Sequence, residues 1–246
     1  MEKRIQLLDI SVDLASTWDA SSATIEYLQD VSSKVVYFVN SKTLLLLQEN
    51  DEWRAIVEES NLILPGNASV DDSINEVLGH KRDPFFVESY FDDVFDYAIE
   101  TGLDIMLVAE DKNKLSSVQE NLHAKRPYLS LTGLDLSKYG DSMDVIVNEI
   151  NSVAPDILIM TLKEQMQLEL LKGYRNQMNA RLMLFTGNIL YKKAVSEAEV
   201  PESVQKLKVT NLYKWFLKGE RIRTLVNNIK VKMQVKQHSK EKKDGN

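Results

Sequence analysis

The chain has 246 residues, 43% hydrophobic and 27% charged, which is enough to bury a core and ordinary for a globular protein. It has no cysteine, which excludes disulfides, thiolate metal sites and a cysteine nucleophile. The net charge of −7 is uneven, because residues 206–246 carry +9 and the remainder carries −16. Such a basic segment indicates contact with an anionic surface, or else a solvated charged tail.

Short apolar runs alternate along the chain with longer amphipathic stretches. The apolar runs, which predict strands buried on both faces, lie at residues 4–10, 35–39, 61–64, 103–108, 128–131, 156–160 and 181–185. Helical spacing of apolar residues marks the stretches at residues 83–100, 112–124, 137–152 and 163–177. This alternation predicts an α/β fold, with Rossmann-like parallel sheets flanked by helices.

The same patterns predict the domain organisation. An α/β core is expected over residues 1–195, either undivided or as two lobes, 1–100 and 101–195. A linker is predicted over residues 196–210, because the first half of this stretch combines three glutamates with Pro201. A basic, amphipathic helical appendage and tail are predicted over residues 211–246.

The appendage has an apolar stripe surrounded by cations. The stripe consists of Ile222, Leu225, Val226, Ile229 and Met233. The cations are Arg221, Arg223, Lys230, Lys232 and Lys236, and two aromatic residues, Trp215 and Phe216, precede the stripe. This pattern is typical of an interfacial helix and predicts that Trp215, Phe216, Lys230, Lys232 and Lys236 contact an anionic membrane. The alternative is a helix that packs its stripe on the body of the protein. Nothing resembles a motif that reads nucleic acid bases.

Most signatures of catalytic or cofactor sites are absent from the sequence. There is no G-x-G motif and no D-x-D motif, and the three histidines are widely separated, so we expect neither a cofactor nor a metal. The pairs Asp71-Asp72 and Asp92-Asp93 are candidates for acid–base chemistry. The alternative is that they stabilise the first turns of the helices that follow them.

The order of the segments resembles the WecG/TagA/CpsF family, the family twenty-six glycosyltransferases. Six segments carry the likeness: residues 4–14 (opening strand), 35–45 (T-x-N turn), 61–67 (L-x-P-D-G segment), 156–160 (strand before a G-x-P-K-Q-E loop), 185–187 (Gly-rich turn) and 211–222 (C-terminal appendage). The resemblance implies transfer of an N-acetylhexosamine from a UDP-sugar to a polyprenyl-linked acceptor, without a metal. It also implies an appendage that contacts the membrane and closes the site, and self-association into a homo-oligomer.

Several positions depart from the family pattern. Phe38 replaces the family threonine, and Gly66 replaces the aspartate proposed as general base. Asn40 and Gln167 are retained, although the loop around Gln167 has lost its glycine and proline. If the alignment is shifted by a few residues, Asp71 or Asp72 could supply the missing base.

The expected substrate-binding residues are therefore Asn40, Gln167, Arg221 and Arg223. A guanidinium fork suits diphosphate oxygens, although both arginines could equally be surface charges of the helix. Since several reactive groups are missing together, we expect a protein of surface-polysaccharide synthesis with lost or reduced catalysis, acting as partner or regulator of an active glycosyltransferase. The alternatives are a divergent active transferase and a membrane-surface adaptor. The expected location is cytoplasmic, on the inner face of the plasma membrane.

Overall fold

The computed structural model describes residues 4–140, 142–191, 194 and 223–238. It begins with an antiparallel hairpin formed by β1 (Arg4–Leu7) and β2 (Ile10–Asp13). The prediction of a single strand over residues 4–10 was therefore wrong at this point. Leu8 and Asp9 have φ values of 51° and 66°, and two successive residues with positive φ form the tight turn that a two-residue hairpin requires.

A six-stranded parallel sheet forms the centre of the molecule. Its strands are β3 (Lys34–Val39), β4 (Leu62–Pro65), β5 (Ile105–Ala109), β6 (Leu131–Asp135), β7 (Ile157–Thr161) and β8 (Leu182–Phe185). They are ordered β4-β3-β8-β7-β5-β6, and every neighbouring pair is parallel. This arrangement confirms the predicted α/β fold with a Rossmann-like sheet.

Helices cover both faces of the sheet. They are α1 (Thr17–Gln29), α2 (Ser41–Gln48), α3 (Asp51–Glu58), α4 (Ala68–Leu78), α5 (Val87–Thr101), α6 (Lys112–Lys125), α7 (Met143–Val153) and α8 (Glu164–Tyr174). A single 3-10 turn, Leu136–Lys138, precedes α7. A further helix at residues 223–238 is called the C-terminal helix below.

Alternation along the strands divides the core into two layers. In β3, Val35, Tyr37 and Val39 point to the face covered by the hairpin, α2, α3, α4, α7, α8 and the C-terminal helix. Val36 and Phe38 point to the opposite face, which is covered by α1, α5 and α6. The strands are almost fully apolar because both faces are buried, as is usual for parallel sheets.

The C-terminal helix is anchored to the body by a different face from the predicted one. Val231 and Val235 are buried in the core beside α4 and α2. The described stripe residues remain largely exposed, with 57% for Leu225, 57% for Val226, 50% for Ile229 and 67% for Met233. The alternative in which this stripe packs on the body was therefore wrong for these residues, since valines on another face make the contact.

The division of the chain into domains stays a prediction. Strands β3 and β4 come from the first predicted lobe and β5 to β8 from the second, and β3 pairs with β8 in one continuous sheet. The predicted linker at residues 196–210 lies outside the described residues. Of the predicted appendage, the described part is residues 223–238.

Candidate functional site

The carboxyl edge of the sheet carries a polar cavity. Helices α2, α4, α6 and α8 all begin within three residues of the strands that precede them, so their first residues gather at this edge. The cavity has a volume of about 260 Å³. Its lining includes Asn40, Lys42, Asn67, Glu164, Asn188 and Arg223. The lining is thus dominated by amides and charged groups.

Asn40 links the end of β3 to the start of α8. Its side-chain oxygen caps α2 by accepting hydrogen bonds from the backbone N–H groups of Lys42 (2.8 Å) and Thr43 (3.1 Å). Its Nδ2 donates to Oε1 of Glu164 over 3.4 Å. Asn40, predicted as a substrate contact, therefore lines the cavity while also serving as a helix cap.

Glu164 is a carboxylate of the cavity that the sequence did not single out. Its side chain is only 7% exposed, and its Oε2 accepts a hydrogen bond from Nζ of Lys42 over 2.6 Å. Burial acts to raise the pKa of Glu164, but the bonds from Lys42, the Glu164 backbone N–H and Asn40 outweigh it and lower the pKa. Glu164 is therefore ionised at neutral pH.

Gln167 is the second predicted contact retained from the family pattern, and its side chain forms hydrogen bonds with backbone groups. It is 2% exposed, its Nε2 donates to the Leu162 carbonyl (3.0 Å), and its Oε1 accepts from the Gly187 N–H (3.1 Å). It thereby joins the end of β7 to the end of β8. A Cβ at Gly187 would lie 3.5 Å from Nε2 of Gln167 and 3.8 Å from Nδ2 of Asn40, so the structure brings these two predicted residues together.

The backbone at Gly66 leaves little space for a side chain. Its N–H donates to the Val39 carbonyl over 2.7 Å. A Cβ at this position would lie 3.1 Å from the Val39 oxygen and 3.3 Å from Cδ1 of Ile189. A carboxylate could enter only if the Val39 backbone moved by a few tenths of an ångström.

Phe38 does not face the cavity. It is 2% exposed and lies in the core between the sheet and α5. Its ring centroid lies 5.4 Å from that of Tyr90, 5.4 Å from that of Phe91 and 6.4 Å from that of Phe85. Position 38 is therefore occupied by an aromatic cluster, in which no hydroxyl is presented to a ligand.

Asp71 and Asp72, the predicted substitutes for a base, both have ion-pair partners. Asp71, in the first turn of α4, pairs with Arg82 and accepts a bond from the Phe85 N–H over 3.4 Å. Burial raises the pKa of Asp71 and outweighs the attraction of Arg82. Asp72 pairs with Lys232 over 3.0 Å. The carboxylate that lines the cavity is instead Glu164.

The structure describes only some of the predicted residues of the appendage. Arg223 is exposed and lines the cavity. Lys232 and Lys236 form ion pairs with Asp72 and Glu76 of α4, and Lys230 is exposed. The remaining predicted contacts, Arg221, Trp215 and Phe216, lie outside the described residues.

A buried lysine stands behind the cavity. Lys114 is 5% exposed, and its Nζ donates a hydrogen bond to Oδ1 of Asn188. The same Nζ lies 3.7 Å from Oε1 of Glu110 and 5.6 Å from the ring centroid of Tyr191. Burial lowers the pKa of Lys114. Lys114 was not predicted as a site residue, although its spacing in α6 places it on the same face as the buried Val118 and Leu122.

One signal could have identified most of the other residues that were missed. Lys42, Asn67, Glu164 and Asn188 each follow a predicted strand within four residues. The carboxyl ends of parallel strands share one edge of the sheet, so these side chains could have been predicted to lie close together.

Among the described residues, no group of three or more His, Asp or Glu side chains is placed to hold a metal. No helix among them is long and apolar enough to span a bilayer.

A comparison with curated proteins finds no match. Residues 5–244 match the model of the glycosyl transferase WecG/TagA/CpsF family. Because the match covers nearly the whole chain, the chain belongs to the WecG/TagA/CpsF family of glycosyltransferases.

Proposed function

We propose that the chain acts in bacterial surface-polysaccharide synthesis as a family member with lost or reduced transfer activity. In this role it is a partner or regulator of an active glycosyltransferase. One observation carries the proposal: neither of the two positions where the resemblance places reactive side chains presents a reactive group to the cavity. Gly66 lies against the Val39 carbonyl, and Phe38 is enclosed by aromatic rings.

The chemistry of transfer explains why the missing groups at positions 38 and 66 matter. A sugar hydroxyl has a high pKa, so its attack on a UDP-sugar is assisted by a positioned base. Position 66 offers no side chain, and phenylalanine can neither donate nor accept a hydrogen bond. Asp71 is paired with Arg82 and Asp72 with Lys232, and neither aspartate is among the residues that line the cavity. None of these groups is placed to deprotonate an acceptor in the cavity.

The cavity supports retained binding of the donor. Lys42 and Arg223 bring two positive charges to it against the one negative charge of Glu164, and amide side chains line its walls. Phosphate oxygens accept hydrogen bonds from both kinds of group. The proposed ligand is therefore a UDP-sugar, held by the cavity without efficient transfer to a polyprenyl-linked acceptor.

A thermal-shift titration with UDP, UDP-N-acetylglucosamine and UDP-N-acetylmannosamine tests the proposal. We expect a saturable rise in melting temperature, because a ligand that binds only the folded state adds about 2.7 kcal/mol at one hundred times its Kd. A transfer assay with a polyprenyl-linked acceptor should stay at background. Co-purification with an active family member from the same cells would support the partner role, whereas rapid turnover by the chain alone would refute it.

A divergent active transferase is the second candidate, and Glu164 favours it. This ionised carboxylate lines the cavity beside Asn40, where it could replace the base missing at position 66. Under this hypothesis the transfer assay gives turnover, and Glu164→Gln abolishes it while UDP still raises the melting temperature. Turnover that survives Glu164→Gln would exclude Glu164 as the base.

We further propose that the C-terminal helix rests on an anionic membrane surface, at the cytoplasmic side of the plasma membrane. Its exposed stripe of Leu225, Val226, Ile229 and Met233 has no cover among the described residues, and the exposed cations Arg223 and Lys230 are on the same helix. Burial of such a stripe in the headgroup region, beside attracted lipid charges, favours binding.

Vesicle sedimentation tests this contact. Wild-type protein should sediment with phosphatidylglycerol vesicles but not with neutral phosphatidylcholine vesicles. The double variant Ile229→Asp/Met233→Asp should lose binding with little change in melting temperature, because both side chains are exposed. The control Val31→Asp, at a fully exposed apolar residue elsewhere, should bind normally. Vesicle binding without any response to UDP would instead indicate a membrane-surface adaptor.

A further inference from the structure

Asparagine side chains around the cavity have fixed orientations. The Oδ1 atom of Asn40 accepts two backbone N–H bonds, and that of Asn67 accepts the Val70 N–H over 3.0 Å. The Oδ1 atom of Asn188 accepts from Nζ of Lys114. An amide carries its oxygen and its NH2 group on opposite sides, so an oxygen held by the protein turns the NH2 group away from that donor.

Asn188 differs from the other two asparagines in what holds it. Backbone N–H groups fix Asn40 and Asn67, whereas a side chain, Lys114, fixes Asn188. An ammonium group has three donors and no acceptor, so it can bind only the oxygen of the amide. Lys114 thereby prevents the Asn188 side chain from rotating by half a turn and presenting its oxygen to the cavity.

Stability alone does not account for a buried cation at position 114. Burying an ammonium group carries a desolvation cost, and a buried ion pair is weak support for stability. Glu110 and the Tyr191 ring compensate part of this cost at 3.7 Å and 5.6 Å. The charge is therefore better explained by what it does to its hydrogen-bond partner, which lines the cavity.

We propose that Lys114 is a positioning residue that holds Asn188 with its NH2 group toward the diphosphate of a bound nucleotide sugar. This inference rests on the proposed function, since it concerns the ligand of the same cavity. Asn188 and Asn67 are turned as donors, and the cations Lys42 and Arg223 outnumber the carboxylate of Glu164 in the lining, so the cavity suits a ligand rich in anionic acceptors. Lys114 itself does not touch the ligand.

Calorimetric titration with UDP and with inorganic pyrophosphate tests the role of Lys114. Lys114→Met has a similar volume but no donor, so pyrophosphate should bind about tenfold more weakly, as expected for loss of one hydrogen bond to a charged group. Lys114→Arg keeps a donor-only cation and should stay within about threefold of wild type. Direct attraction of the ligand by the Lys114 charge would give the same ranking, so Lys114→Met is also measured in an Asn188→Ala background. Little further loss is expected there, because Lys114 acts through Asn188, whereas an undiminished tenfold loss would overturn the positioning role.

Asn188→Asp provides a second variant that does not rely on a change in the buried cation. One carboxylate oxygen should keep the bond to Lys114, and the other should present an acceptor to the cavity. Pyrophosphate binding should then fall at least tenfold, while the ligand-free melting temperature is maintained by the new ion pair.

The outcomes separate this inference from the proposed function. Suppose that the wild-type protein binds pyrophosphate and that Lys114→Met and Asn188→Asp both bind it with undiminished affinity. That result would overturn only the role of Lys114. Wild-type protein that binds neither UDP nor pyrophosphate would overturn the retained ligand site, and the role of Lys114 with it. Loss in Lys114→Met and Asn188→Asp with retention in Lys114→Arg supports the proposal.

Discussion

Phe38→Thr, which restores the family threonine, is expected to lower the free energy of unfolding by about 3–5 kcal/mol. The ring is 2% exposed and contacts three other aromatic rings, so the change opens a cavity and places a hydroxyl among apolar groups. Because the side chain points into the core, the new hydroxyl should not produce transfer activity. Urea unfolding and the transfer assay measure the two effects.

The same substitution at an exposed phenylalanine serves as a control. Phe86 is 56% exposed and occupies the N-cap position of α5 without a capping side chain. Phe86→Thr should change stability by less than about 1 kcal/mol, because the threonine can cap the helix. A loss below about 1 kcal/mol in Phe38→Thr would show that position 38 is not the packed site described above.

Arg82→Met should be comparably damaging, with a loss of about 3–5 kcal/mol at neutral pH. The Asp71–Arg82 pair is almost buried, with side-chain exposures of 8% and 12%. Removing the arginine leaves the carboxylate in a desolvated site with the weak 3.4 Å contact from the Phe85 N–H. Asp71→Asn in the Arg82→Met background should recover part of the loss, because it removes the unpaired charge.

The loss of unfolding free energy in Arg82→Met is expected to depend on pH. Burial already holds the pKa of Asp71 above its ordinary 3.8, so ionising Asp71 costs stability as pH rises from 3.8 through the raised pKa. Without Arg82 the pKa should rise further. The deficit of Arg82→Met should therefore be largest near pH 7 and shrink toward about pH 5, in urea unfolding at both pH values. Equal deficits at the two pH values would contradict the account.

Hydrophobic patterning predicted the fold more accurately than it predicted where individual strands begin and end. Strands buried on both faces, such as β3 and β7, are continuous apolar runs and were predicted to within one residue. The strand expected at residues 128–131 is instead β6, Leu131–Asp135. This edge strand contains exposed Thr132 and Gly133, so its apolar signal is weak.

The candidate site could be predicted only in part, because its geometry depends on strand order. Resemblance pointed to Asn40 and Gln167, which the structure places together next to Gly187. Glu164 and Lys114 were missed, since neither occupies a motif position and both act through partners distant in sequence, Lys42 and Asn188. The burial that distinguishes Lys114 from a surface lysine is a property of the assembled sheet.

The position of β8 has a consequence for synthesis on the ribosome. It is the last strand of the sheet to be made, yet among the described strands it alone pairs with both β3 and β7. Until residues 182–185 emerge from the ribosome, β4-β3 and β7-β5-β6 lack the strand that joins them in the folded sheet. Unpaired strand edges pair readily with other chains, so nascent or truncated chains should depend on chaperones until residues 182–185 have left the ribosome.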